Sequence, residues 1–504
     1  MFLRKLKSNN GKTYIQVVDK SSGTYKVVKS FGGSDDPEKV QVLQKRAKNW
    51  IKKSCGTVEL DFSNNDQLIA QVLGSIDKMT CVGLDYLLGR IYHDIGFSKI
   101  PDAFFKYLVI ARMAYPKSKL KTTQYLLRYH QIDWDEDQVY RYLDKLYATQ
   151  KEMVQQISYE HTLTVLNDTI RVVFYDVTTL YFEIDQEDEL RKTGFSKEGK
   201  HQHPQIVLGL LVSKNGYPLA YEIFEGNKFE GHTMLPVVDA FKAKYNLQQL
   251  IIVADSGLLS KANIEELQHK GYEFILGARI KTEKDSIKRK ITALNLSNGQ
   301  SAVINKQSLK LIITYSDDRA KKDRYNREKG LRRLEKQLNR GKLTKANINN
   351  RGYNKFLKLE GQITIRIDNE KLENDKKWDG LKGYISNAKL SKNEIIENYQ
   401  HLWQIEKAFR IAKSDLKIRP VYHRLQNRIE AHICISFAAY KVYKELERQL
   451  KQKKADISAN TAIEIAENIY EIQAIMPMSG ERIKKTLLLT HEQQYLAELF
   501  EFGC

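Results

Sequence analysis

Between residues 171 and 277 the chain runs through strand and helix patterns in an order that leaves few folds open. Strand-like runs occupy 171–176, 206–213, 218–224, 250–255 and 273–277. Helical patterns at 233–246 and 260–270 flank the fourth run, and the turn signal "KNGYP" joins the second to the third. Strand, strand, strand, helix, strand, helix, strand specifies a mixed α/β sheet that begins as a meander. Two runs carry an acid where a buried strand should carry none. "VVFYDVTTLYFE", from Val172, ends its apolar stretch at Asp176, and "LIIVADSG" ends at Asp255. Two carboxylates so placed point to a site.

The chain has 504 residues, too many for one core, so two to four structural units are expected. Residues 1–33 alternate as a β-hairpin, and the pattern turns helical from Pro37 to Lys53. Residues 66–150 are helical almost throughout, punctuated by Pro101 and Pro116. The expected organisation is 1–150, a hairpin plus helical region; 165–280, the first part of the α/β core; 281–375, an insertion; 376–450, the second part of the core; and 451–504, a helical end. The insertion contains the strand-like pieces "QSLKLIITYS" and "GQITIRID" around a strongly basic stretch from Asp317 to Arg351. Such a stretch reads as a solvated helix, with a phosphate-facing surface as its rival.

Lys and Arg number 82 against 62 Asp and Glu, a formal net charge of +20. Nucleic acid is the commonest partner for a surplus of this size. No apolar run approaches the length of a membrane span, and the basic start lacks the apolar segment of a secretory signal. Cys55, Cys81, Cys434 and Cys504 lie far apart without metal-ligand spacing and read as reduced cytosolic thiols.

A third acid completes the site. Residues 391–415, "SKNEIIENYQHLWQIEKAFRIAKSD", read as one helix. At ~100° per residue, Tyr399, Leu402, Glu406, Arg410 and Lys413 share an arc of roughly 80°, beside an apolar arc of Ile405, Phe409 and Ala412. On its own this would be an amphipathic helix with Glu406–Arg410 pairing. With Asp176 and Asp255 on the strands, it brings a carboxylate to two others. Three carboxylates suit hard cations: Mg²⁺ takes one or two protein carboxylates plus substrate phosphates. Two such ions can activate an attacking oxygen and stabilise a leaving one in phosphodiester chemistry.

The chain resembles the DDE transposases of bacterial insertion sequences. The branch it looks like carries Y-x2-R-x3-E-x6-K around its last acid, and Tyr399, Glu406 and Lys413 stand at those spacings. Leu402 occupies the arginine position, as in a subgroup with leucine followed by "W-x-I-E". "GFSKEGKHQHPQIVLGLLVSKNGYPLAYEIFEGNKFEGHTM", "IIVADSGLLS", "DGLKGYISN" and "KSDLKIRPVYH" fit the same subgroup, as, more loosely, do "YPKSKLKT" and "VYRYLDKL". The resemblance spans about residues 165–440.

It implies an RNase H-like catalytic domain with a β-containing insertion, preceded by a mostly helical DNA-binding region. It implies Asp176, Asp255 and Glu406 as catalytic and metal-holding residues for two Mg²⁺ ions, with Mn²⁺ as a substitute, and Tyr399 and Lys413 on the DNA backbone. Arg410, on the same arc, is the candidate to replace the missing arginine. The implied activity is binding of the terminal inverted repeats, cleavage and strand transfer into target DNA, by a homodimer that pairs two ends in the bacterial cytoplasm, on the nucleoid. The alternatives are a catalytically dead DNA binder derived from a transposase, and an RNase H-like nuclease. Of the remaining residues, Trp403 reads as packed. His201, His203, His232 and His423 lack zinc spacing. Asn227 and Glu230 read as a helix cap or as support for the acids.

Overall fold

A computed structural model describes the chain from Met1 to Phe502, except residues 10, 22, 55–64, 168, 185, 197–198, 259, 350–351, 361–363 and 477–478. Cys55 and Cys504 lie outside the described residues, and Cys81 and Cys434 are buried free thiols. Contacts divide the chain into two compact units, Met1–Asp77 with Ala474–Ile483, and Lys78–Gln473 with Lys484–Cys504. The residues expected to form one region from 1 to 150 are therefore shared between both.

In the first unit, β1 (Phe2–Lys7), β2 (Thr13–Asp19) and β3 (Lys26–Ser34) form an antiparallel sheet, one strand more than a hairpin. Helix α1 (Pro37–Ser54) opens on a proline, whose missing N–H costs nothing in a first turn. Its Ala47 is buried with Ile15 and Val17 of β2, and Trp50 meets Phe31 edge-on.

The second unit holds helices α2 (Ala103–Ala114), α3 (Glu136–Lys145) and α4 (Lys151–Val165), then a sheet. Its first strands are β4 (Val172–Tyr181), β5 (Gln205–Ser213) and β6 (Pro218–Glu225). Helix α5 (Met234–Lys244), β7 (Ile251–Ala254), α6 (Lys261–His269) and β8 (Glu273–Ala278) follow. Next come β9 (Ser301–Lys306), β10 (Leu309–Tyr315) and the long basic helix α7 (Asp317–Asn339). A separate ribbon pairs β11 (Leu357–Glu360) with β12 (Thr364–Ile367). Strand β13 (Leu381–Ser386) and helices α8 (Lys392–Gln400), α9 (Trp403–Ser414) and α10 (Gln426–Gln452) complete the core.

The sheet has eight strands in the order β9-β10-β13-β8-β7-β4-β5-β6. β4 to β6 form the expected antiparallel meander, and β7 and β8 run parallel to β4. This is the mixed α/β, RNase H-like arrangement, following a mostly helical part. The β9–β10 hairpin joins it through β13 and so extends the central sheet.

Alternation along the strands assigns the two faces. Val173, Tyr175 and Val177 pack with Phe241 of α5 on one side. Phe174 and Leu180 face the other, with Ile405 and Phe409 of α9 and Phe437 of α10. Every residue of β5 is buried, as a central strand covered on both faces requires. Helix α10 is buried over most of its length and packs against α2, α3 and α4, joining the helical part to the sheet.

Three sequence expectations change. The end expected to be helical also contains the strands Tyr470–Ile475 and Arg482–Leu487. Asp176 does not end its strand: β4 continues to Tyr181, because its antiparallel pairing with β5 outlasts its parallel pairing with β7, which stops at Tyr175↔Ala254. Residues 391–415 are not one helix. The N–H of Leu402 bonds to the Tyr399 carbonyl, and that of Ile405 to the Leu402 carbonyl, so a tight turn separates α8 from α9.

Candidate active site

Strand register assembles the site before any side chain is considered. Tyr175 pairs with Ala254, Ala254 with Leu276, and Gly277 with Tyr384. One step along, Asp176, Asp255, Gly277 and Tyr384 form a row across β4, the end of β7, β8 and β13. Neighbouring strands lie ~4.8 Å apart, so the two aspartates are adjacent. Parity puts the row on the face that carries Phe174, Val253 and Ile275, the face covered by α9.

Helix α8 delivers Tyr399 to this row. The helix starts from a capping box of Ser391 and Glu394. The Tyr399 ring is buried against Tyr384, centroids 4.6 Å apart at 53°. Its hydroxyl donates to Asp255 Oδ1 over 3.1 Å. Burial first, then the charges of Asp255 and Glu406, push the Tyr399 hydroxyl far above its ordinary pKa, so it remains a donor. The hydroxyl lies over Gly277, where a first side-chain carbon would sit 2.5 Å from it.

Lys382, two residues before Tyr384 on the same face of β13, holds Nζ 4.6 Å from the Tyr399 ring centroid. Burial and Arg319 lower its pKa, while Asp255 and Glu406 raise it. The charges of Asp255 and Glu406 thus meet at one ammonium and one phenol. Glu406 is exposed in the first turn of α9. Asp176 Oδ1 accepts from the N–H of Val177 over 2.8 Å. Glu230 comes close to the turn after Asp255: its Oε2 lies 3.8 Å from where a side chain on Gly257 would begin. Arg279 closes the rim, its Nε donating to the Ser256 carbonyl over 3.0 Å.

The expected residues thus divide. Asp176, Asp255, Tyr399 and Glu406 come together. Arg410 is exposed, and its charge reaches the Tyr443 hydroxyl on α10. Lys413 is half-buried near the end of α9. Leu402 is 6% exposed and belongs to the core. Trp403, expected to pack, is 50% exposed, because the turn at 401–402 resets the helical phase and turns residue 403 outward. Asn227 is exposed. Lys382 and Gly277 escaped the sequence reading. "DGLKGYISN" held the lysine, but only the pairing of β13 with β8 brings it to the acids.

Among the described residues, no three His, Cys, Asp or Glu side chains converge tightly enough to hold one ion by themselves. Hard oxygen donors supplied singly or in pairs still suit Mg²⁺, which fills its shell with water and substrate phosphate. Asp176 and Asp255, adjacent in the row, could serve as such a pair, and Glu406, whose charge reaches Tyr399 and Lys382, as a further donor. Among the described residues, no helix is long and apolar enough to cross a membrane.

Comparison with known proteins adds the family. No curated protein matches the sequence. The similar solved structures, at low identity, include the following three. A piggyBac transposase synaptic complex with hairpin DNA matches with TM-score 0.37, 9% identity and 79% of each chain covered. A Mos1 transposase paired-end complex with the left transposon end has TM-score 0.16 and 11% identity, over 34% of this chain and 58% of that one. A Mos1 mariner paired-end complex with Mn has TM-score 0.15 and 13% identity, over 31% and 54%. Residues 167–441, more than half of the chain and including all three acids, match the family described as Transposase DDE domain, and the chain belongs to that family.

Proposed function

We propose that this protein is the transposase of an insertion sequence, which binds the terminal inverted repeats of its element, cleaves DNA there and joins the ends to target DNA. One observation carries the reading furthest: Asp176 and Asp255 stand side by side in one row, with the Tyr399 hydroxyl on Asp255 and the charge of Glu406 at the same hydroxyl. Divalent ions held by Asp176, Asp255 and Glu406 would supply an activated attacking oxygen and stabilisation of the leaving one, with Mg²⁺ as the ion and Mn²⁺ as its substitute. The chain's own residues do the rest. Tyr399 orients the Asp255 carboxylate, Lys382 offsets charge on a phosphate brought to the row, and Arg279, Arg410 and Lys413 offer cations to the DNA backbone. A net charge of +20 supports a polyanionic partner. Pairing two ends calls for a homodimer on DNA, in the cytoplasm of a bacterium.

The test is cleavage of a labelled duplex carrying the element's end, with Mg²⁺ or Mn²⁺, by wild type and Glu406→Gln. The expected result is metal-dependent cleavage by wild type and its loss, with binding retained, in the variant. Binding without cleavage by either protein would move the assignment to a DNA binder without catalytic activity. Cleavage without strand transfer would move it to a nuclease.

A further inference from the structure

A cavity in the larger unit, of about 530 Å³, is rich in cations. Six lysines and arginines line it, with His423 and His432, and no aspartate or glutamate does. Its floor is buried: Arg112 is 6% exposed, Lys119 5% and His432 5%. Its rim is exposed, with Lys117, Lys121 and Lys417. Its lining comes from residues 112–121 and 417–423 with Tyr140 and His432, and includes none of Asp176, Asp255, Glu406, Tyr399 or Lys382.

Buried cations in a folded chain are normally paired with acids. These are not. The resolved polar neighbour of Arg112 is the ring of His432, 3.4 Å away. Among the described residues, the neighbouring charge acting on Lys119 is Arg112, another cation. Burial pushes Arg112 down to about 10, and Lys119 well below its ordinary value. His423 is pushed down to about 3, by burial and then by Lys119, Arg112 and Arg428. Like charges gathered in low dielectric cost stability, and removing a buried charge in favour of an apolar side chain is often neutral or stabilising. An arrangement so unfavourable when empty makes sense if an anion completes it.

We propose that this cavity binds a phosphate group, with Arg112 and Lys119 as its floor, and that in the working protein the phosphate belongs to the backbone of bound DNA. The first half is independent of the transposase reading, and the second rests on it. The cavity adjoins the elements that carry the acids. Arg419 on its wall stands 6.0 Å from the ring of Tyr181, five residues beyond Asp176 on β4, and Lys417 lies three residues past the end of α9. Five residues of strand span roughly 17 Å. That is about five nucleotide steps at ~3.4 Å each along a DNA strand. A strand cut at the acid row thus reaches the cavity a few phosphates from the cut, and the exposed lysines of the rim suit a continuous backbone better than a lone ion.

The full chain with Lys119→Met, and separately Arg112→Met, tests this with three readouts. These are melting without ligand, the melting shift produced by inorganic phosphate, and the affinity for a mixed-sequence duplex over a series of salt concentrations. The expected result is an unliganded melting temperature equal to or above wild type, loss of the phosphate shift, DNA binding weaker on the order of tenfold, and a salt slope shallower by about one. Loss of the phosphate shift with unchanged DNA binding would overturn the DNA half and leave a site for a free phosphate. A lower melting temperature in both variants, with phosphate and DNA binding intact, would overturn the whole proposal and make the cations structural. Because the duplex need not be cut or carry the element's ends, a failure of the cleavage reading would show only in the Glu406→Gln experiment.

Discussion

The hydroxyl of Tyr399 occupies the space that a side chain on Gly277 would need. Glycine at 277 is therefore part of how Tyr399 reaches Asp255. A methyl group there would lie 2.5 Å from the hydroxyl and 2.9 Å from the backbone nitrogen of Ser256. Gly277→Ala should destabilise the protein by about 1–3 kcal/mol and reduce cleavage by moving both Tyr399 and the Asp255 turn. In the double variant with Tyr399→Phe, the missing oxygen relieves the first clash and leaves the second. Part of the lost stability should return, while the Asp255 contact stays lost. Denaturant melts of the two single variants and the double measure the coupling, and strict additivity would show that the two residues do not touch.

Lys382 is a cation beside acids that are expected to hold cations. Replacing it with methionine removes a like charge from the ions' neighbourhood, so Mn²⁺ should bind a few-fold more tightly by electron paramagnetic resonance titration. Cleavage at saturating metal should nevertheless fall, on the order of tenfold, because a charge-assisted contact to phosphate is gone. Lys382→Arg keeps the charge and should change metal affinity little. Unchanged Mn²⁺ affinity in Lys382→Met would place the ammonium outside the acid site.

Leu402 stands at the arginine position of the Y-x2-R-x3-E-x6-K spacing, yet its side chain is core. Leu402→Arg should therefore not improve activity. It should bury a charge without a partner, cost several kcal/mol and lower the melting temperature, whereas Leu402→Met, close in volume, should cost less than about 1.5 kcal/mol. A Leu402→Arg protein with wild-type melting and faster strand transfer would mean that the turn at 401–402 can open to bring the guanidinium to DNA.

Much of this arrangement was legible because it is local. The meander followed by two strand–helix steps was written in residues 171–277, and the acids stood out against apolar runs. What escaped is non-local or unmarked. The break between α8 and α9 falls in "YQHLWQ", without glycine or proline, so the helical pattern runs through it. Asp176 seemed terminal because its apolar run stops there, and the antiparallel partner that carries β4 on to Tyr181 was not visible from β4 alone. Lys382, Gly277 and Tyr399 meet only through the pairing of β13 with β8. The floor of the cationic cavity draws on residues 112 to 119 and residue 432, which only tertiary packing brings together.

Glu467 offers a stability test away from both sites. Burial, and then the nearby Glu464, push its carboxyl up to about 7 from an ordinary 4.5. The folded state therefore holds this proton more tightly than the unfolded chain does. Between pH 4.5 and about 7 the unfolded state binds fewer protons, so this group's contribution to stability falls as pH rises and levels off above that window. Glu467→Gln removes the ionisation while keeping the shape. Its melting temperature should match wild type at pH 5 and exceed it at pH 8, by an amount tempered by the side chain's partial exposure. Thermal melts of the two proteins at both pH values decide the point. An equal difference at both pH values would mean that packing, and not the carboxylate's charge, sets the effect.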